Sequence, residues 1–116
     1  MNTLSFEPKK AIAYYRTAAG GDLAIVEQKH QVEEFCTKHG IDLVYSESDV
    51  DVSGLAAAKP GLDRIVEAVC IHSTVYTYVV MTDPMRISRT LDGLMKHEQL
   101  FKKHGIQTLY VCRYSK

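Results

Sequence analysis

The sequence of 116 residues has no tryptophan, three prolines, three cysteines and no apolar run of the length that crosses a membrane. Cys36, Cys70 and Cys112 are odd in number and lack C-x-x-C spacing, which argues against a disulfide framework and against common zinc motifs. Each cysteine lies within or at the end of an apolar run. We therefore expect three buried, free thiols in a reducing compartment.

The chain also lacks net charge of either sign, since it has 14 basic and 14 acidic residues. No overall positive field draws it to nucleic acid, so any contact with DNA has to come from a local patch. The opening residues contain no apolar core of signal-peptide length, and a cytoplasmic protein without a membrane segment is expected. The length fits one domain over residues 1–116 with a single core.

Apolar segments of strand length alternate with segments of helical period along the chain. Strands are predicted over residues 11–15, 41–47, 75–82 and 106–112. Helices are predicted over residues 23–39, from Pro60, and after the break at Asp83 and Pro84. Strands that alternate with helices in this way form βαβ units. The predicted fold is therefore a three-layer α/β structure, with a mostly parallel sheet of four to five strands flanked by helices.

The two helix-to-strand joints have nearly the same sequence, TKHGIDLVY and KKHGIQTLY. Gly40 and Gly105 follow the last basic residues of their helices, which is the usual place of a C-terminal cap. The segments between the joints do not match each other. We therefore interpret the similarity as one capping solution used twice, and not as an internal repeat.

Charged and hydroxyl side chains follow three of the predicted strands at their carboxyl ends, where the site of an open α/β sheet lies. The basic ones are Arg16, Lys59, Arg86 and Arg89, called here the cationic rim. Because guanidinium groups bind phosphate oxygens in paired geometry, the cationic rim predicts a phosphate-binding site. Arg86 and Arg89 could instead be solvated residues beside a turn, and the composition leaves that interpretation open.

Several short motifs also follow one another in a fixed order. They are a strand ending in Arg16, the segment AIVEQ with Gln28, the loop DVDVSG from Asp49 to Gly54, the helix start KPGL and the segment MRISR. Their order and spacing resemble the catalytic domain of serine recombinases, the resolvase/invertase family, across nearly the whole chain. The resemblance implies the α/β fold of that domain and an activity in which DNA strands are cleaved and rejoined without a cofactor.

The resemblance further implies roles for individual residues. Contacts with the scissile phosphate are implied for the whole cationic rim, Arg16, Lys59, Arg86 and Arg89. Ser53 is expected to lend a hydrogen bond, and Gln28 and Asp49 are expected to support the site.

The chain departs from the family pattern within this site. Ala18 occupies the position of the nucleophilic serine, and a methyl group cannot attack phosphorus. Thr17 is a poor substitute, because a shift of one residue at a strand end turns the side chain to the other face. Lys59 replaces an arginine and loses its two-pronged grip on phosphate. Met85 replaces an acid or serine, and Asp51 replaces a glycine of the loop. A degenerate member of the family is therefore expected.

Three functions follow from these observations. The preferred hypothesis is an inactive recombinase-type domain that binds DNA weakly, or that pairs with itself or with an active recombinase. The second is an active recombinase with another nucleophile, or an inactivated variant of one. The third is a protein-interaction module. The long dimerisation helix and the C-terminal DNA-binding domain of the family are expected to be absent from this chain.

Two further features have ordinary structural explanations. Glu47, Asp49 and Asp51 could hold Mg²⁺, but acidic loops at strand ends are commonly just solvated, so no metal is expected. The tyrosines on the predicted strands, such as Tyr14 and Tyr15, are expected to pack in the sheet and not to stack on bases.

Overall fold

The apolar strand segments form one sheet in the computed structural model, which describes residues 8–114. The strands are β1 (Lys10–Arg16), β2 (Asp42–Asp49), β3 (Tyr78–Met81) and β4 (Gln107–Tyr110). They lie in the order β2-β1-β3-β4, and every neighbouring pair is parallel. The prediction of a parallel α/β sheet is confirmed, with four strands among the described residues. Residues 1–7, which belong to the polar opening segment, and residues 115 and 116 lie outside the described part of the chain.

The helices connect the strands as the periodicity indicates. They are α1 (Gly21–Lys38), α2 (Pro60–Ile71) and α3 (Leu91–Lys103). The helix expected directly after Asp83 is instead a short 3₁₀ turn, Pro84–Arg86, and α3 begins at Leu91 with Thr90 as its N-cap. Because Pro84 fits the first turn of any helix, the sequence could not distinguish one turn from a full helix at this point.

The sheet is buried on both faces. Ala11, Ala13 and Tyr15 of β1 pack against Val32 and Phe35 of α1 on one side. The alternate residues of β1, Ile12 and Tyr14, face the opposite side, and the core there is completed by α2 and α3, with Leu62, Ile65, Val69 and Phe101. A strand covered on both faces is apolar along its length, which explains the continuous run in β1.

The expectation that all three cysteines are buried is wrong for two of them. Cys36 is buried, but Cys70 and Cys112 are exposed, although all three thiols are free. Leu91 and Met95 of α3 are also exposed, and Phe101 is the buried side chain of that helix. An apolar stripe defines one face of a helix, but it cannot show how far the neighbouring layer extends over that face.

The two joints with the sequence KHGI have the same geometry. Gly40 and Gly105 have φ angles of 67° and 77°, in the left-handed region. The amide of Ile41 donates to the Cys36 carbonyl and that of Ile106 to the Phe101 carbonyl, which closes each helix end. The prediction of one cap used twice is confirmed, and each cap directs the chain into the next strand.

β1 has a neighbour on each side, and the chain turns from β2 on one side to β3 on the other. This change of direction opens a crevice beyond the carboxyl ends of β1 and β3. Arg16, at the end of β1, lies at this point. In residues 8–114 no helix is long and apolar enough to span a membrane.

Candidate functional site

The main chain of Arg16 is held at the crevice by two side chains. The Gln28 amide accepts a hydrogen bond from the Arg16 amide at 3.1 Å and donates to the Arg16 carbonyl at 2.9 Å. Nη1 of Arg86 donates to the same carbonyl at 2.6 Å. Gln28, on the buried side of α1, therefore fixes the end of β1.

The side chain of Arg16 points to the opposite side of the sheet and is only 2% exposed. Its Nε donates to the Arg86 carbonyl and its Nη1 to the Val52 carbonyl, both at 2.8 Å, and its Nη2 donates to the Met85 carbonyl. Burial, followed by the charge of the neighbouring Arg86, lowers the pKa of Arg16 from its ordinary value. The guanidinium group joins the loop after β2 to the turn after β3.

The loop after β2 lies over this guanidinium group. The amide of Val52 donates to the Thr17 carbonyl at 2.8 Å, and the amide of Asp51 donates to the Thr17 hydroxyl at 3.1 Å. A Cβ added at Gly54 would lie 2.3 Å from Cγ of Arg89 and 2.7 Å from Nη2 of Arg16, so only glycine fits between the two arginines. Gly54 also accepts a hydrogen bond from the Arg89 amide at 3.2 Å.

Asp49 is buried at the end of β2 and caps α2 from outside the helix. Its carboxylate accepts hydrogen bonds from the amides of Gly61 and Leu62, at 2.8 Å and 3.1 Å, and from the Tyr14 hydroxyl at 2.7 Å. Burial, followed by this hydrogen bond, raises the pKa of Tyr14. Lys59 is the N-cap residue of α2, but its side chain makes no capping hydrogen bond. The Asp49 carboxylate therefore binds the amides of the first turn in its place.

Lys59 lies beside this cap and is buried. Its ammonium group donates to the Ala56 carbonyl at 2.7 Å. Burial, followed by the charge of Arg16, lowers the pKa of Lys59. Ser53, in the same loop, is exposed, and its hydroxyl accepts a hydrogen bond from the Leu55 amide at 3.0 Å.

Arg86 and Arg89 differ from the buried cations. Arg86 is partly exposed, and its Nε donates to Asp83 at 3.3 Å. Arg89 is exposed, and its side chain makes no hydrogen bond with a described residue. The two side chains do not share one helical face, because the helix that would align them begins later, at Leu91.

Ala18 lies two residues after Arg16 in the sequence. Its side chain is exposed at the start of the turn before α1. Thr17 is buried, with its hydroxyl bound to the Asp51 amide. The two neighbours thus face different surroundings, as the reversal of side chains along a strand end requires.

The structure brings the predicted residues together around the ends of β1, β2 and β3. Arg16, Lys59 and Arg89 lie on the side of α2, whereas the Arg86 guanidinium group lies at the Arg16 carbonyl and Gln28. Sequence reasoning missed the roles of Tyr14 and Asp83. Tyr14 stands two residues before Arg16 on the same strand and so shares its face, which could have indicated its contact with Asp49. Within residues 8–114 no group of three or more potential metal ligands is present.

The fold and this site can be compared with known proteins. Residues 11–115 match the family model described as Resolvase, N terminal domain. The chain therefore belongs to the resolvase N-terminal domain family, and it is a serine recombinase-like domain. No curated protein sequence matches the chain significantly.

Solved structures support the same fold. The C-terminal catalytic domain of ISC1926 TnpA, an IS607-like serine recombinase, is 24% identical, with a TM-score of 0.79, over 88% of this chain and 67% of that chain. The N-terminal catalytic domain of TP901-1 integrase is 20% identical, with a TM-score of 0.81, over 90% of this chain and 78% of that chain. A resolvase family site-specific recombinase from Streptococcus pneumoniae is 17% identical, with a TM-score of 0.78, over 89% of this chain and 72% of that chain. At these identities the likeness concerns the fold.

Proposed function

We propose that this protein is a recombinase-type domain that binds DNA phosphate through the cationic rim and does not cleave DNA. The observation that supports this most directly is the alanine at position 18, beside a site whose other predicted residues are present and ordered. Cleavage through a phosphoserine needs a hydroxyl at that position. The neighbouring hydroxyl of Thr17 is buried and bonded to the Asp51 amide, which disfavours it as a replacement nucleophile.

The cations differ in the donors that they have left for a phosphate. Arg89 has its whole guanidinium group free of hydrogen bonds to described residues, and Arg86 uses only Nε and Nη1. Both belong to the segment after β3 and lie at the edge of the crevice. Ser53 is exposed nearby and has its hydroxyl proton available. In this proposal Arg86 and Arg89 make the first contacts with DNA. The protein partner is a second copy of this chain or an active recombinase.

The three free cysteines fit a reducing compartment in which DNA is present, so the proposal places the protein in the cytoplasm. Specific recognition of a DNA sequence is not part of the proposal, because phosphate contacts carry no sequence information directly. We expect weak binding that falls steeply with salt.

The test is fluorescence anisotropy of a labelled duplex over a series of salt concentrations. The double variant Arg86→Ala/Arg89→Ala should bind more weakly, and the slope of log K against log salt should fall by about 0.9 for each phosphate that the variant no longer neutralises. Lys102→Ala/Lys103→Ala is the matched control. It removes the same charge from the end of α3, which lies at the opposite end of the parallel sheet. Equal weakening in both double variants would mean that binding depends on net charge and not on the cationic rim.

The missing nucleophile is tested by restoring it. In Ala18→Ser the restored hydroxyl should attack a DNA phosphate and expel a sugar hydroxyl, so that a phosphoserine adduct forms. On a duplex nicked close to that phosphate the short released strand dissociates, which traps the adduct. The protein with alanine should form none. An adduct with alanine in place would overturn the assignment of inactivity and support the alternative of an active recombinase. If neither protein binds DNA at low salt, the alternative of a protein-interaction module is supported instead.

A further inference from the structure

Two side chains with metal-binding atoms meet at the end of the sheet opposite the cationic rim. Cys70 lies in the last turn of α2, and His104 is the C-cap residue of α3. Each of these helices returns the chain to the amino end of the next parallel strand, so their last turns lie at the same end of the sheet. Sγ of Cys70 is 3.5 Å from Nε2 of His104, although 34 positions separate the two residues in the sequence. The thiol is exposed and the imidazole is partly exposed, so solvent reaches the pair.

The distance between these two atoms is the distance between two ligands of one tetrahedral zinc ion. With Zn–S and Zn–N bonds of about 2.3 Å and about 2.05 Å, a tetrahedral angle places sulfur and nitrogen about 3.6 Å apart. The observed 3.5 Å therefore allows both atoms to bind one ion almost without movement. A hydrogen bond from the thiol to the imidazole has a similar length, and titration with zinc separates the two arrangements.

One copy of the chain supplies only half of such a site. Structural zinc ions bind four protein ligands, for example two cysteines and two histidines. Within the part of the chain that the structure describes, no group of three or more potential ligands occurs. Most homo-oligomers are symmetric, and a second copy related by a twofold axis would add one cysteine and one histidine to the first pair. Two copies together therefore complete a common ligand set of zinc.

We propose that Cys70 and His104 form half of a zinc site, and that Zn²⁺ joins two copies of this chain through this pair. Each thiol loses one proton to solvent, and the two thiolates and two neutral imidazoles bind one ion. Because the two thiolates balance the charge of Zn²⁺, the bridge adds no positive charge beside Lys102 and Lys103 at the end of α3. Ile71, which follows Cys70 and is 66% exposed, supplies apolar surface to the contact.

The zinc bridge and the cationic rim lie at opposite ends of the sheet. The cationic rim surrounds the carboxyl ends of the strands, whereas Cys70 and His104 lie near the amino ends. Each copy in the bridged pair therefore keeps its cationic rim free. The inference goes beyond the proposed function, which names a second copy as a partner but assigns no contact to it. It does not depend on DNA binding, so a protein that binds no DNA could still form the bridge.

Sedimentation velocity of the whole, untagged and reduced protein tests the bridge. The mass of the species present with a chelator should double when Zn²⁺ is added, and the change should be complete at one zinc ion per two chains. Excess chelator should reverse it. Co²⁺ in place of Zn²⁺ should give the absorption of a tetrahedral ion with thiolate ligands, which a hydrogen-bonded thiol does not give.

Four variants locate the ion. Cys70→Ser and His104→Ala should each abolish the doubling of mass at the same zinc concentration. Cys112→Ser is the matched control for the thiol, because Cys112 is also exposed and free. His30→Ala is the control for the imidazole, since His30 is exposed on α1. Both controls should still double in mass, and far-ultraviolet circular dichroism checks that all four variants are folded.

Three results would overturn the inference. Binding of one zinc ion per chain without a change in mass would exclude a bridge between copies. Zinc-dependent association that persists in Cys70→Ser would place the ion at other residues. No spectral change with Co²⁺ and no change in mass with Zn²⁺ would show that the pair is a hydrogen bond only.

Discussion

At the scale of single residues, position 51 shows how the loop departs from the family pattern without losing its shape. Asp51 has a φ angle of 57°, the one residue other than glycine in residues 8–114 with a positive φ. The resemblance to serine recombinases places glycine at this position. Asp51 tolerates the left-handed conformation better than most residues, because aspartate is enriched there among non-glycine residues. The substitution therefore keeps the loop over Arg16.

The backbone at position 51 gives a direct prediction for stability. Asp51→Ala should lower the free energy of unfolding by about 1 kcal/mol, because alanine is disfavoured in the left-handed region. Asp51→Gly should leave it unchanged or raise it slightly, since glycine adopts this region without strain. Urea denaturation of both variants measures the difference. If alanine at position 51 were as stable as glycine, the left-handed conformation of the loop would be wrong.

At the scale of secondary-structure elements, α2 depends on a residue that does not belong to it. Asp49, at the end of β2, accepts the hydrogen bonds of two amides in the first turn of α2 and of the Tyr14 hydroxyl from β1. One carboxylate therefore ties a helix to two strands. Lys59 is placed by the same arrangement, since it is the N-cap residue of α2.

Removal of this cap should be costly. Asp49→Ala should lower the free energy of unfolding by about 3 kcal/mol, because three donors lose their buried partner. Tyr14→Phe should cost less, about 1 kcal/mol, since it removes one of the three bonds. Both are measured by urea denaturation monitored by far-ultraviolet circular dichroism.

Asp42→Ala is the control for the aspartate substitution, because Asp42 is exposed at the start of the same strand. It should change stability by no more than about 0.5 kcal/mol. A cost for Asp49→Ala as small as that of Asp42→Ala would contradict the role of Asp49 as the cap of α2.

At the scale of the whole molecule, both faces of the sheet bury groups that ionise only at high pH. Burial raises the pKa of Cys36 to about 11, and it is also the main cause of the raised pKa values of Tyr14, Tyr15 and Tyr110. Each of these groups is neutral when protonated, and the folded state retains the proton more strongly than the unfolded state. Their contribution to stability is therefore complete below the unfolded pKa values and is lost as the pH rises above them.

We expect alkaline conditions to destabilise the fold over a defined range. The ordinary pKa of Cys36 is 9.0 and its folded value about 11, so the urea midpoint should fall as the pH rises between these values. The tyrosines add to the decline above their ordinary pKa of 10.0. Cys36→Ala should start from a lower midpoint at neutral pH, because it leaves a small cavity, but its decline between pH 9 and 10 should be shallower. A midpoint independent of pH up to about 11 would contradict this account.

The sequence alone determined the α/β class, a mostly parallel sheet of four to five strands, and the repeated glycine cap. Buried strands, amphipathic helices and left-handed glycines each have a local pattern that no distant contact needs to complete. The same holds for the order of Arg16, Asp49, Arg86 and Arg89 along the chain, which placed them at one edge of the sheet. Their common edge follows from parallel topology.

The tertiary structure alone decided what those residues touch. Five of the six hydrogen-bond partners of the Arg16 and Asp49 side chains are main-chain groups, which belong to residues such as Val52, Met85 and Gly61. Almost every residue type supplies these groups. No side-chain pattern in a sequence can therefore indicate them. The exposure of Cys70 and Leu91 was likewise undetermined, because it depends on where the neighbouring layer ends. Local chemistry fixed which residues reach the site, and long-range packing fixed which of their hydrogen-bonding groups remain free there.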